Sequence, residues 1–190
     1  MKKVRVYLKS VSPYSQSKQV GEERLNEETG KDFEKRTWKQ RCHVDKEGNV
    51  IIPPMVFKNC LSEAAKFMSL KIPGKGKATY TKHFEAGVMV TDALKLPIKI
   101  ADVQGEWHFV PSDGVRGGGK RVEKCFPLID DWEGVVEFHM LDETITEEVF
   151  EEHLKKAGQF IGIGRFRPRN NGWYGRFTPV KYEWSKEAAA

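Results

Sequence analysis

Long apolar runs are missing from this 190-residue sequence; its most hydrophobic stretches break after a few residues. A membrane-spanning helix needs about 20 consecutive apolar residues, so none is expected. The N-terminal stretch carries Lys2, Lys3, Arg5 and Lys9 and no apolar segment like that of a secretory leader, which points to a soluble, cytoplasmic protein. Cysteine is scarce. Cys42, Cys60 and Cys125 are odd in number and far apart, which argues against a disulfide framework and against paired metal ligands. Of His43, His83, His108, His139 and His153, none stands at ligand spacing from another histidine, cysteine or acid, apart from the adjacent Cys42-His43, which do not easily face one metal. No metal or other cofactor is expected. A nucleophile elbow, kinase motifs, a dinucleotide fingerprint and a 20 to 50 residue repeat are absent too.

What is present suits a folded core. Hydrophobic residues make up 39% and aromatic residues 11% of the chain, too much for a disordered one. The length fits one domain with insertions better than two domains. Thirty-two Lys and Arg against 27 Asp and Glu leave a net charge of +5, so where the charge lies matters more than its sum.

Val4, Val6 and Leu8 alternate with Arg5, Tyr7 and Lys9, the period of a half-buried strand over residues 3–11. Residues 12–48 hold few large apolar groups (Tyr14, Leu25, Phe33, Trp38) and read as an inserted arm ending in a turn at 45–48. Val50 to Ile52 form a short strand stopped by Pro53-Pro54, where a helix can start. Phe57, Leu61, Ala64, Ala65 and Met68 then recur at helical spacing across residues 55–70. A turn-rich basic loop follows, then strand-like runs at 86–90, 107–110 and 122–129, and a well-alternating central strand over 132–141. Thr144 with Glu147 matches a capping box for a helix that ends in Lys155 and Lys156 before Gly158. A terminal strand is expected over 174–184. The order strand, helix, strands, helix, strand predicts an α+β, ferredoxin-like antiparallel sheet with two packed helices, the plan also used by RNA-recognition modules. The expected domain is 1–187, with insertions at 12–48 (arm), 71–82 (basic loop) and 111–121 (glycine finger), and 188–190 as a tail.

Acidic residues are absent from 158–181. That segment carries Arg165, Arg167, Arg169, Arg176 and Lys181, interleaved with Phe160, Phe166, Trp173, Tyr174 and Phe177. Gly162, Gly164, Gly172 and Gly175 permit positive φ and a close backbone approach. Arginine for phosphates, aromatics for base stacking and glycine for close approach suit a single-stranded nucleic-acid site. The alternative is a hairpin whose aromatics fill the core and whose arginines are merely solvated. A second basic loop, Gly114 to Arg121, misses the phosphate-binding G-x-x-x-x-G-K-[ST] pattern because Arg121 stands where a hydroxyl would hold magnesium. Nucleotide hydrolysis is therefore not expected, and Arg116, Lys120 and Arg121 read as phosphate contacts on a flexible finger. Lys71, Lys75, Lys77 and Lys82 around Tyr80 make a third patch. Three glycine-bearing basic loops suggest convergence on one polyanion.

The N-terminal strand, the helix entry Val-Ile-Ile-Pro-Pro-Met-Val-Phe-Lys-Asn-Cys-Leu-Ser-Glu-Ala-Ala, and the second helix leading into Gly-Ile-Gly-Arg-Phe-Arg-Pro-Arg-Asn-Asn-Gly-Trp-Tyr-Gly-Arg-Phe together resemble the RAMP superfamily. These are the ferredoxin-like RNA-binding proteins of CRISPR systems, including guide-coating backbone subunits and guide-processing endoribonucleases. The resemblance implies backbone contacts from Lys58, Gly162, Gly164, Arg165, Arg167, Gly172 and Gly175. It likewise implies that 12–48 and 114–121 serve as arms gripping RNA and neighbouring subunits. The chain is short for a guide-coating subunit, no loop acid matches the target-cleaving residue some such subunits carry, and a phage-encoded member would fit.

The expectation is a non-catalytic single-stranded RNA-binding protein that coats or holds a guide RNA, as a homo-oligomer along nucleic acid or a subunit of a larger complex. A metal-independent endoribonuclease with His43 or His83 as base, a single-stranded DNA-binding protein and a CRISPR-inhibiting protein-binding module are the alternatives.

Overall fold

A computed structural model describes residues 1–115, 117 and 119–186; Arg116 and the 188–190 tail lie outside the described residues. Its centre is a four-stranded antiparallel sheet. Strand β1 (Lys2–Ser10) lies between β8 (Glu133–Met140) and β9 (Phe177–Lys186), and β4 (Val88–Met89) pairs on the far side of β8. Val6 stands opposite Val136 on one side and Tyr182 on the other. The alternation read in β1 works as expected: Val4, Val6 and Leu8 are fully buried while Arg5 and Lys9 are exposed.

Two helices cover the buried face. Helix α2 (Pro54–Met68) starts on its prolines, buries Phe57, Cys60, Leu61, Ala64 and Ala65, and ends at Ser69 in the left-handed region. Helix α4 (Glu147–Lys156) packs Phe150, His153 and Leu154 inward, with acids in its first turn and lysines in its last to complement the helix dipole. Skipping the additional elements, β1, α2, β4, β8, α4 and β9 run in the ferredoxin-like order, and the α+β fold expected from the sequence is present. The expected helix cap is off by two residues. Thr146, not Thr144, accepts from Val149 N–H, whereas Thr144 N–H donates to Asp142, so Glu147 opens the helix instead of closing a box.

Several elements are additional to the expected plan. Helix α3 (Thr81–Gly87) precedes the short β4, and places His83 on a helix, not in a loop. A two-stranded ribbon joins β3 (Asn49–Ile52) to β5 (Leu94–Lys99). A second sheet has the order β2 (Tyr14–Ser15), β7 (Arg121–Ile129), β6 (Gln104–Pro111), so the glycine finger is the tip of a long β6–β7 hairpin. The two ends of residues 12–48 pack on the core and on that sheet, while 17–27 are almost wholly exposed. They supply β2, helix α1 (Gly30–Thr37) and a 3-10 turn (Trp38–Arg41), and bury Tyr14, Ser15, Gln16, Glu34, Thr37 and Cys42. The last strand starts at Phe177 and not at Tyr174, because residues 162–176 form a closed loop between α4 and β9.

Candidate nucleic-acid interface

Helix α4 continues through a π-helical turn (Ala157–Ile161) and is stopped by Gly162 at φ +71°. The loop beyond folds back on itself. Ile163 N–H donates to Gly175 O at 2.9 Å, Tyr174 N–H to Phe166 O at 3.0 Å, and Arg165 N–H to Ser15 O of β2 at 3.0 Å. Gly175, at φ +72°, leaves only 1.8 Å between an added Cβ and Ile163 O, and at Gly172 the same atom would lie 1.6 Å from Phe166 O. These glycines let the loop close on its own backbone; the space of the missing side chains is filled by protein.

The loop's side chains divide between two cavities. On one side Arg165, Phe166, Arg169 and Gly172 meet Arg121, Gly114 and Gly117 of the hairpin in a cleft of about 950 Å³. Arg41, Lys124 and Phe126 complete its walls. The Arg165 guanidinium lies 3.1 Å from the Phe126 ring centre and 4.4 Å from that of Phe166, stacked between two aromatic planes. Its Nη1 is buried with no hydrogen-bond partner among the described residues. Burial, and then the neighbouring Arg41 charge, push its pKa down to about 10, so it stays charged at neutral pH. Arg41 also lies over Phe126, 5.2 Å from the ring centre, and is anchored bidentately to Glu34 at 2.9 Å to each oxygen. Lys124 donates to Glu34 at 3.0 Å, as does Cys125 N–H. One buried carboxylate thus holds two cations at the cleft, and Arg165 faces them with its Nη1 unbonded and only the through-space charge of Glu106 acting against theirs.

Along the same wall, His108 bonds Glu106 at 2.7 Å and tilts against Phe166 at 5.0 Å, and Tyr174 O–H donates to Glu106 at 2.8 Å. Tyr174 is buried, so it fixes the loop to the hairpin and offers no face to a base. Phe166 and Trp173 are the exposed rings of the loop, at 36% and 56%.

The second cavity, about 480 Å³, lies across the loop and is lined by Lys58, Glu63, Gly164 and Arg167. Arg167 is paired with Glu63 at 2.9 Å. Lys58 gives its three hydrogens to Ser62 Oγ and the carbonyls of Phe84 and Glu85, tying α2 to α3, and burial lowers its pKa. Arg176 braces the loop through Gln159 O and Trp173 O. Lys120 is exposed beside Arg121, and Lys75 and Lys77 are exposed between α2 and α3. Two of the three basic loops therefore meet in the cleft, while 71–79 lines neither cavity.

Arg41, Lys124 and Phe126 escaped the sequence reading. Alternation in β7 places Lys124 and Phe126 on one face and was legible; Arg41 sits in the polar insertion with no local signal. Of the two histidines considered as bases, His43 receives only burial and the nearby Lys18 charge, which lower its pKa, whereas His83 Nδ1 lies 2.6 Å from Asp142. Neither lines the cleft. Among the described residues no three His, Cys, Asp or Glu could hold a metal, and no helix is long and apolar enough to cross a membrane.

No family model matches the sequence, and no curated protein does. Solved structures do. A chain in the cryo-EM structure of a type III-B Cmr-β complex bound to cognate target RNA matches at 13% identity and TM-score 0.54, over 98% of this chain. This protein spans 61% of that chain's length. A Cas6 product complex (12% identity, TM-score 0.34, 93% of this chain and 51% of that one) and a CRISPR RNA-guided surveillance complex (7%, 0.39, 95% and 67%) also match. The first of these likenesses shows that the chain shares its fold with a chain of that complex.

Proposed function

We propose that the protein is a non-catalytic, sequence-tolerant single-stranded RNA-binding subunit that holds a guide RNA within a CRISPR-type ribonucleoprotein. The observation that carries this reading is Arg165: a guanidinium stacked between Phe126 and Phe166, with a buried, unpartnered Nη1, in a cleft also bounded by Arg41, Arg121, Lys124 and Arg169. Such a group, with Glu106 acting on it only through space, lacks a hydrogen-bond acceptor, and a phosphodiester supplies one with the oxygens a guanidinium fork prefers. The fold's exposed sheet face is a poorer candidate, because its charges are already paired. Arg5 and Lys181 flank Glu183 at 3.8 and 2.7 Å, and Lys9 reaches Glu133 at 3.9 Å. The shared fold with a chain of an RNA-bound CRISPR complex supports the same reading. The test is purification at low salt with sequencing of co-purifying nucleic acid. Short RNA of uniform length is the expected result, and protein free of nucleic acid would overturn the reading.

The His83–Asp142 contact favours a second reading, a metal-independent endoribonuclease in which an oriented imidazole takes the 2′-hydroxyl proton. Cleavage of labelled RNA hairpins that survives EDTA and is lost in His83→Ala would establish it.

A further inference from the structure

Trp107 and Phe109 of β6 do not line the cleft; they stand opposite Cys125 and Glu123 of β7, on the side where Glu123 pairs with Lys31 of α1. Trp107 and Phe109 stand there with 43% and 63% of their surface exposed, unusual for large aromatic side chains. The row is longer than two. At Gly105 an added Cβ would meet the Trp38 ring at 3.0 Å and Cys125 Sγ at 2.5 Å, so the half-buried Trp38 fills the side-chain place that glycine leaves. Positions 105, 107 and 109 of one strand are therefore capped by three aromatic rings, with about 7 Å between successive backbone positions.

The surrounding charge is mainly positive. Lys39 Nζ lies 5.5 Å from the Trp38 ring, Lys31 neutralises Glu123 opposite Phe109 at 2.8 Å, and Arg121 stands opposite Pro111 at the end of the row. Arg121 also lines the cleft, so the aromatic row and the cleft share one residue at the hairpin's end.

We infer that the outer face of the β6–β7 hairpin is a second track for single-stranded nucleic acid, on which Phe109 and Trp107 each stack one base of a strand leaving the cleft past Arg121. This rests on the RNA-binding reading above and extends it: the strand wraps the hairpin instead of ending in the cleft. Stacking needs no sequence preference, since every base has a face to offer. Lys39 beside Trp38 supplies a cation where the track ends.

The test compares labelled oligouridines of about 5 and about 20 nucleotides by fluorescence anisotropy at low salt. In W107A/F109A the long oligomer should weaken by about tenfold for each ring lost, while the short one, held by the cleft, binds as to wild type. Arg165→Ala should weaken both. Trp107→Phe should keep long-oligomer affinity while losing part of the tryptophan quenching on binding, which a merely structural role for the ring would not produce. Unchanged long-oligomer affinity in W107A/F109A overturns the inference and leaves the cleft reading standing. So does a variant whose only defect is altered self-association in sedimentation, which would make the face a protein interface. Failure of wild type to bind either length overturns the underlying reading itself.

Discussion

Glu34 and Arg41 form a bidentate pair in which the Glu34 side chain is fully buried and the Arg41 side chain keeps about an eighth of its surface exposed. The acid comes from α1 and the base from the turn that follows, so the insertion and the second sheet are joined by one charge. Lys124 and Cys125 N–H share that carboxylate.

Glu34→Ala should therefore cost about 3–5 kcal/mol of stability, because it strands two cations and a backbone N–H that were satisfied together. Glu34→Gln keeps an acceptor for Cys125 N–H and should cost less. Urea unfolding of the two variants checks this; equal loss in both would mean that packing, not charge, is what Glu34 supplies.

Salt should govern nucleic-acid affinity. If the proposed reading holds, Arg121→Ala and Arg169→Ala, both at the cleft, should each remove one phosphate contact and flatten the slope of log K against log salt by about 0.7 while weakening all sequences alike. Arg165→Ala should weaken binding more, since its stacked guanidinium is pre-set for a single position. The measurement is anisotropy between low and moderate salt; a wild-type slope near zero sinks the electrostatic account.

The glycines separate into two kinds that one substitution can tell apart. Gly175→Ala meets Ile163 O at 1.8 Å in a left-handed backbone, and should destabilise by about 2–5 kcal/mol and open the loop. Gly74→Ala, at φ +75° with nothing within 4 Å, carries only the backbone strain of about 1–2 kcal/mol. Thermal unfolding compares them; similar losses would mean that the loop does not close as described.

That contrast shows what the sequence could and could not disclose. β1, α2 and α4 were legible because buried residues recur at the period of their element, as with Val4, Val6 and Leu8. The packing of 12–48 was not, because what it buries is largely polar and satisfied by hydrogen bonds: Glu34 on Arg41, and Gln16 bridging Ile51 O and His43 N–H. In the basic loop the residue types were readable but not their partition. Arg165 and Arg167 carry the same signal two positions apart, yet one enters the cleft and the other closes on Glu63. Glycine in such a loop signals positive φ and a close approach of the backbone to a ligand, and at Gly172 and Gly175 the close approach is to Phe166 and Ile163.

His153 makes stability depend on pH near neutrality. It is fully buried on α4, stacked on Phe84 at 4.3 Å, with Nδ1 2.6 Å from Val149 O, and burial lowers its pKa below the usual 6.5 despite that bond and the nearby Glu152 charge. The folded protein therefore keeps the imidazole neutral at a pH where the unfolded chain protonates it. The unfolded state then binds more protons, so this contribution is present above about pH 6.5 and is lost as pH falls below it. His43, lowered by burial as well, acts in the same direction. The unfolding midpoint should fall between about pH 7 and 5.5, and His153→Phe should make that fall shallower, since a phenyl ring can keep the stack on Phe84 without titrating. A variant whose midpoint follows pH as steeply as wild type would assign the dependence to other groups.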